Sequence, residues 1–273
     1  MLRPALPLLR GVAAAAVFVL AIGAAAEAAP VKVYAAGSLS SAMAALIEAA
    51  GEPPGAFAAP VYGPAGLLAD RLSRGETADL FASADIAAPE RLAAARPDAL
   101  VVTFVKNRMC VAAKAAVGLT ETGMLDRMLS PDLRLATSTP GNDPGGDYAL
   151  AVFKRAEALR PGAEKALTGK MLTLVGGPTT MVPIAGKSPG ASIFLGDHAD
   201  LFLYYCSSAA ALLKEVPDLT NLPLPDSLEV HPVYAMAVLS REPAAERFAL
   251  FVLSSKGQAI LGRFGFTPLA AAP

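Results

Sequence analysis

The chain has 273 residues, of which 54% are hydrophobic; 23 Lys and Arg stand against 24 Asp and Glu, for a net charge of −1. That balance leaves none of the basic footprint that a nucleic-acid partner requires. The two histidines, His198 and His231, lie far apart in sequence and do not make a histidine-rich zinc site.

Residues 1–28 read as a signal peptide. Arg3 and Arg10 give a positive start, and residues 11–23 form an apolar core too short to span a bilayer. Ala26-Glu27-Ala28 supplies the small-residue cleavage pattern, so cutting is expected after Ala28. The residue at the cleavage point is Ala29 and not a cysteine, which argues against a lipid anchor. About 245 residues remain, enough for one large or two small domains. No later run has 18 uninterrupted apolar residues. The expected product is exported and soluble.

In chain order, the apolar pattern predicts a strand at Val31–Ala35, a helix at Ser40–Ala50, a strand at Ala58–Tyr62 and a helix at Gly66–Ser73. A strand at Leu80–Ala82 and a helix at Pro89–Ala95 follow. Val101–Ala113 reads as strand, Thr122–Leu129 as helix, Arg134–Ser138 as strand and Asp147–Arg160 as helix. Then come a strand at Leu172–Val175, a helix at Ser188–Gly196, a strand at Leu201–Tyr205 and a helix at Ser208–Val216. Strands at Asn221–Leu224 and Val233–Leu239 and helices at Ala244–Leu253 and Ser254–Phe264 complete the series. The alternation implies an α/β architecture with mostly parallel sheets.

Val101–Ala113 is long for one strand, and Asn107-Arg108 interrupts its apolar pattern. Two lobes joined by strands that cross between them explain the interruption. Residues 29–108 and 206–273 would form the first lobe and 109–205 the second. Export permits a disulfide between Cys110 and Cys206. Both sit in strand-like apolar runs, where buried free thiols are common, and this favours thiols.

Several strand–helix junctions are rich in donors. In the first, Val31 to Ala35 runs through Gly37-Ser38 into the apolar pattern of Leu39, Met43, Leu46 and Ile47. A helix N-terminus there carries unpaired N–H groups and partial positive charge and suits an anion. From these residues alone, an ordinary strand–turn–helix with Ser38 or Ser40 as cap is the stronger reading. Gly63-Pro64-Ala65-Gly66, the run from Thr137 to Gly146 and Gly186-Lys187-Ser188-Pro189 are similar junctions. Ligands in open α/β sheets sit at the carboxyl ends of strands. Four converging junctions would make a cage of N–H dipoles. The chain offers no Gly-x-Ser-x-Gly elbow and no paired histidine motif, so an exported hydrolase is the distant alternative.

Motifs in order along the chain carry a resemblance. They are Tyr34-Ala35-Ala36-Gly37-Ser38-Leu39, the run Ala78–Asp85 (ADLFASAD), Asn107-Arg108, the run Asp143–Ala149 (DPGGDYA), Leu203-Tyr204-Tyr205 and Ile260–Phe266 (ILGRFGF). From about Val31 to Phe266 the chain resembles the substrate-binding proteins of molybdate and tungstate ABC transporters. The resemblance implies a type II periplasmic binding fold with a cleft between its lobes. It implies a tetrahedral oxyanion, molybdate, tungstate or a relative, held by N–H groups and hydroxyls with no cofactor and no catalysis. It implies an ABC permease as partner, a periplasmic location and a monomer. Position by position it implies Ser38 as the first-loop donor, Gly145 and Ser188 as second-lobe donors, and Tyr205 as a phenol reaching the anion. Where the family carries a loop serine this chain has Pro64-Ala65-Gly66, leaving the amides of Ala65 and Gly66 as donors. Asp143 matches a carboxylate that a branch of the family adds to the metal, and it also reads as a turn residue. The position of that branch's glutamate holds Tyr204. Lys187 reads as a solvated loop charge beside the site, and Arg108 equally as a cation that neutralises an anion and as a polar break in the hinge strand. The departure at Ala65 keeps open a small organic anion, or another metal species, as ligand.

Overall fold

The computed structural model describes residues 29–178 and 180–269; the expected signal peptide lies outside the described residues. In chain order the elements are β1 (Val33–Ala36), α1 (Ser40–Ala49), β2 (Val61–Gly63), α2 (Ala65–Ser73), β3 (Leu80–Ser83), α3 (Ala87–Ala94), β4 (Leu100–Lys106) and β5 (Met109–Lys114). Then follow α4 (Met124–Leu129), β6 (Leu135–Ser138), α5 (Pro144–Leu159), α6 (Ala163–Lys170), β7 (Leu172–Val175) and α7 (Pro189–Leu195). β8 (Leu201–Tyr205), α8 (Ala209–Glu215), β9 (Leu219–Pro223), β10 (Val233–Val238), α9 (Pro243–Leu253), α10 (Ser255–Arg263) and β11 (Thr267–Pro268) complete the fold. No helix among the described residues is long and apolar enough to cross a membrane.

Apolar spacing explains the local elements. α2 buries Ala65, Leu68, Ala69 and Leu72, a stripe at i, i+3, i+4 and i+7. α1 follows a single 3₁₀ turn at Gly37–Leu39 and buries Ala42, Met43 and Leu46. β3 and β8 are buried on both faces and read as continuous apolar runs. α5 begins at Pro144, with Asp143 as its cap accepting from the Gly145 N–H at 2.9 Å. A helix absent from the sequence pattern, α6, follows Gly162, whose φ of 90° lets the chain turn sharply after α5.

Six strands form one sheet in the order β11-β4-β10-β3-β1-β2, and five form another in the order β7-β6-β8-β5-β9. Parallel pairing joins β1 to β2 and β3 in the first sheet, and β6 to β7 and β8 in the second. The remaining pairs, β10 with β3 and β4, β11 with β4, and β5 with β8 and β9, are antiparallel. The sheets are therefore mixed. Parallel order holds only where a helix returns the chain to the sheet's other end; the strands that pass between sheets run the opposite way.

The expected long strand is two. β4 ends in the first sheet at Lys106 and β5 starts in the second at Met109, so Asn107-Arg108 is where the chain crosses. The return is later than residue 205. β9 pairs with β5 over Cys110↔Pro223 to Lys114↔Leu219, so residues through Pro223 stay with the second sheet. The boundary moves because the apolar run near 221 finds its partner on the open edge of β5.

Two buried polar residues hold the crossing. Asn107, 1% exposed, donates from Nδ2 to Ser207 Oγ at 2.9 Å and to the Tyr234 hydroxyl at 3.0 Å. Its Oδ1 accepts from Arg108 N at 2.8 Å. Glu229 Oε1 accepts from the N–H groups of Met109, Val230 and His231, and its Oε2 accepts from Arg108 Nε at 3.2 Å. Both crossing segments thus share one hydrogen-bond network, whose members are costly to leave unpaired.

Cys110 and Cys206 form a disulfide with Cα atoms 4.9 Å apart, against the expectation of free thiols. The antiparallel register sets Cys110 opposite Tyr204, and Cys206 lies just past the end of β8 with its N–H on the Arg108 carbonyl. Cysteines 96 positions apart in sequence are neighbours across one strand pair.

Candidate functional site

The carboxyl ends of five strands meet at one cleft. Ala36, Gly63, Ser138, Val175 and Tyr205, the last residues of β1, β2, β6, β7 and β8, all line it. Its volume is about 500 Å³. Among the described residues its lining carries many hydroxyls and one carboxylate, Asp143, and no Lys, Arg or His.

On the first-lobe side stand Ser38 and the start of α2. The Ser38 Oγ lies 2.9 Å from the Tyr234 hydroxyl. Either hydroxyl can be the donor of that pair; the Tyr234 oxygen also accepts from Asn107. With the phenol donating, the Ser38 proton is free to donate into the cleft. Ala65 and Gly66 open α2, and helix-opening N–H groups have no intrahelical acceptor.

On the second-lobe side stand Asp143 and Tyr205. Tyr205 is 7% exposed, and its hydroxyl has no hydrogen-bond partner among the described residues. Burial, with the neighbouring Tyr234 and Asp143 adding to it, raises its pKa well above 10. It therefore stays a neutral donor. Burial pushes the Asp143 carboxyl up from 3.8 to about 6, against the lowering effect of the Gly145 N–H. Gly176, at φ 78°, makes room for it: a Cβ there would stand 2.6 Å from the Asp143 Cβ and Oδ2.

The far wall is apolar. Phe202 and Tyr204 stack with ring centroids 5.1 Å apart, and they share one packed cluster with Leu212, Val175 and Met181. The Tyr204 hydroxyl is turned to Asn221 Oδ1 at 2.8 Å, so Tyr204 presents its ring to the cleft.

The bacterial extracellular solute-binding protein family model matches residues 31–267. The chain belongs to that family. An uncharacterized protein of Pasteurella multocida, PM1146, is 36% identical over 76% of this chain and 86% of its own. The molybdate-binding protein ModA of Mycobacterium tuberculosis is 30% identical over 73% of this chain and 69% of its own. The sulfate-binding protein SubI from the same organism shares the fold at a TM-score of 0.71, with 17% identity over 89% of this chain and 88% of its own. The resemblance to molybdate-type binding proteins and the type II periplasmic binding fold both stand.

In this solute-binding protein the structure brings Ser38, Ala65, Asp143, Ser188 and Tyr205 to one cleft. Two expected donors fall elsewhere. Gly66 is outside the cleft lining; it faces the other lobe, where a Cβ would meet the carbonyl oxygens of Asn142 at 2.6 Å and Gly141 at 2.7 Å. The next residue, Leu67, donates its N–H to the Asn142 carbonyl at 3.3 Å. Gly145 is likewise outside the lining, and its N–H is taken by Asp143. Ser188 lines the cleft, but its Oγ caps α7 by accepting from Ala191 N at 3.2 Å, and its N–H donates to Glu215 Oε2 at 3.0 Å. Two of the four expected donor junctions are thus already answered by carboxylates, that of α5 by Asp143 and the Ser188 N–H before α7 by Glu215. Lys187 sits on an exposed loop, and Arg108 is engaged with Glu229 and the Leu224 carbonyl.

Sequence reading passed over Tyr234 and Gly176. Tyr234 is an ordinary member of an apolar strand until Asn107, 127 positions away, is set beside it. Gly176 follows a weak strand and shows no motif.

Proposed function

We propose that this solute-binding protein captures an oxyanion-bearing solute in the cleft between its lobes and presents it to the permease of an ABC importer. The work is binding and closure, not catalysis. The observation that carries the reading is the meeting of five strand ends at one hydroxyl-lined cleft, the place where open α/β sheets take ligands. Ser38 and the start of α2 are the donors assigned to the oxyanion, with the Tyr205 hydroxyl opposite them. Oriented dipoles in a cleft that excludes water act more strongly than they do in water. Molybdate and tungstate are the first candidates, because a molybdate-binding protein is among the relatives. The protein works as an exported monomer.

An organic anion is the second reading, favoured by the volume of the cleft and its apolar wall. Thermal shift and calorimetry with molybdate, tungstate, sulfate, phosphate and organic acids test the assignment. Ser38→Ala should weaken the binding anion by about ten- to a hundredfold, the loss of a hydrogen bond to a charged group. Absence of a shift with every anion would remove the oxyanion reading.

A further inference from the structure

The cleft is larger than a bare oxyanion needs. Five heavy atoms at ~30 Å³ each, the share of a water in liquid, fill roughly 150 Å³. The cleft has about 500 Å³, and much of the remainder is bounded by Met181, Phe202, Tyr204 and Leu212. A site of this kind suits a molecule with a carbon body.

The charges of the two walls are unlike. On the second-lobe wall the N-terminus of α5 is already answered by Asp143 and the Ser188 N–H by Glu215. Asp143 remains open to the cleft as the only ionisable acid among the described lining residues, with no base beside it. On the first-lobe wall Ser38 and Ala65 offer donors and no carboxylate lines the cleft beside them. The Tyr205 hydroxyl adds a buried donor without a partner among the described residues. A solute with only negative charge stands against Asp143, whereas one with a cationic end cancels it.

Building on the capture reading above, we infer that the solute is a small organic zwitterion: its oxyanion group at Ser38 and Ala65, its ammonium against Asp143 and its carbon body along Phe202 and Leu212. The oxyanion group is phosphate-like or carboxylate, and matched probes separate the two.

Calorimetry on the mature protein compares phosphoethanolamine with ethyl phosphate, β-alanine with propionate, and all four with molybdate. One zwitterion should bind at least about tenfold more tightly than its amine-free partner, ~1.4 kcal/mol, and the pair that shows the gap names the oxyanion group. Asp143→Asn keeps a capping acceptor for the Gly145 N–H and should erase the gap. A gap that survives Asp143→Asn overturns the assignment of the ammonium. Molybdate binding most tightly, with no gap in either pair, overturns the zwitterion and leaves oxyanion capture standing. No heat with any of the five probes overturns both.

Discussion

Tyr205 places a hydroxyl where the fold gains nothing from it. A buried donor without an acceptor costs roughly 1–3 kcal/mol, and the Tyr205 hydroxyl is in that position among the described residues. Tyr205→Phe should therefore raise the stability of the ligand-free protein by about 1 kcal/mol while weakening the solute by about ten- to a hundredfold. Urea unfolding and calorimetry on one variant read the two opposite signs. A core tyrosine with no part in binding would leave affinity unchanged. Asp143 makes a pH-dependent counterpart. Its carboxyl is raised from 3.8 to about 6 by burial, so the fold disfavours the charged form. That cost is absent below 3.8, grows through the interval and is full above about 6. Thermal unfolding of Asp143→Asn against wild type should show no advantage at the acid end and a growing advantage for the variant as pH rises through this window. A constant difference would mean that Asp143 does not titrate there.

Between elements, α2 and the loop before α5 meet across the mouth of the cleft. Leu67 N–H reaches the Asn142 carbonyl, and Gly66 lets the two backbones close to van der Waals contact. A methyl at Gly66 would meet backbone oxygen at 2.6 Å, and backbone has no side-chain freedom to yield. Gly66→Ala should hold the lobes apart, enlarge the radius of gyration of the liganded protein in small-angle scattering and weaken the solute by about tenfold or more. An unchanged radius of gyration at saturation would show that the contact does not set closure. Gly66 also marks what was legible in the sequence. The junction at Gly37-Ser38, the break at Asn107-Arg108 and the order of most helices and strands follow from apolar spacing and turn chemistry, which are local. The α2 junction is legible as a donor-rich turn, but its neighbour across the cleft is not. Ser188 is legible as a cap, and Pro189 confirms the position, yet nothing nearby tells that Glu215 takes its N–H. The mixed sheets, β9 on the edge of β5, Tyr234 beside Ser38 and the disulfide all depend on pairings between distant segments. Periodicity in one chain carries no record of those pairings.

At the scale of the molecule, the disulfide and the Asn107–Glu229 network both sit where the chain passes between lobes. The bridge closes a loop of 96 residues that holds most of the second sheet. In the chain-entropy account a loop of that length stabilises the fold by roughly 4–5 kcal/mol, and measured values run lower, about 2–4. Reduction, or Cys110→Ser with Cys206→Ser, should lower the unfolding free energy by an amount in that range, read as a lower urea midpoint with a steeper slope, because the unbridged denatured chain is more expanded. A midpoint that does not move would place the stability of the second lobe in its packing alone. The same closed loop has a consequence for a severed chain. The stretch from Val182 to Lys187 is exposed and lies inside the ring. A protease that cuts there opens a circle without releasing a piece: one band on a gel run without reductant becomes two when thiol is added. A nicked molecule keeps both lobes on one covalent frame, and the half-proteins it contains go their own way only in a reducing compartment.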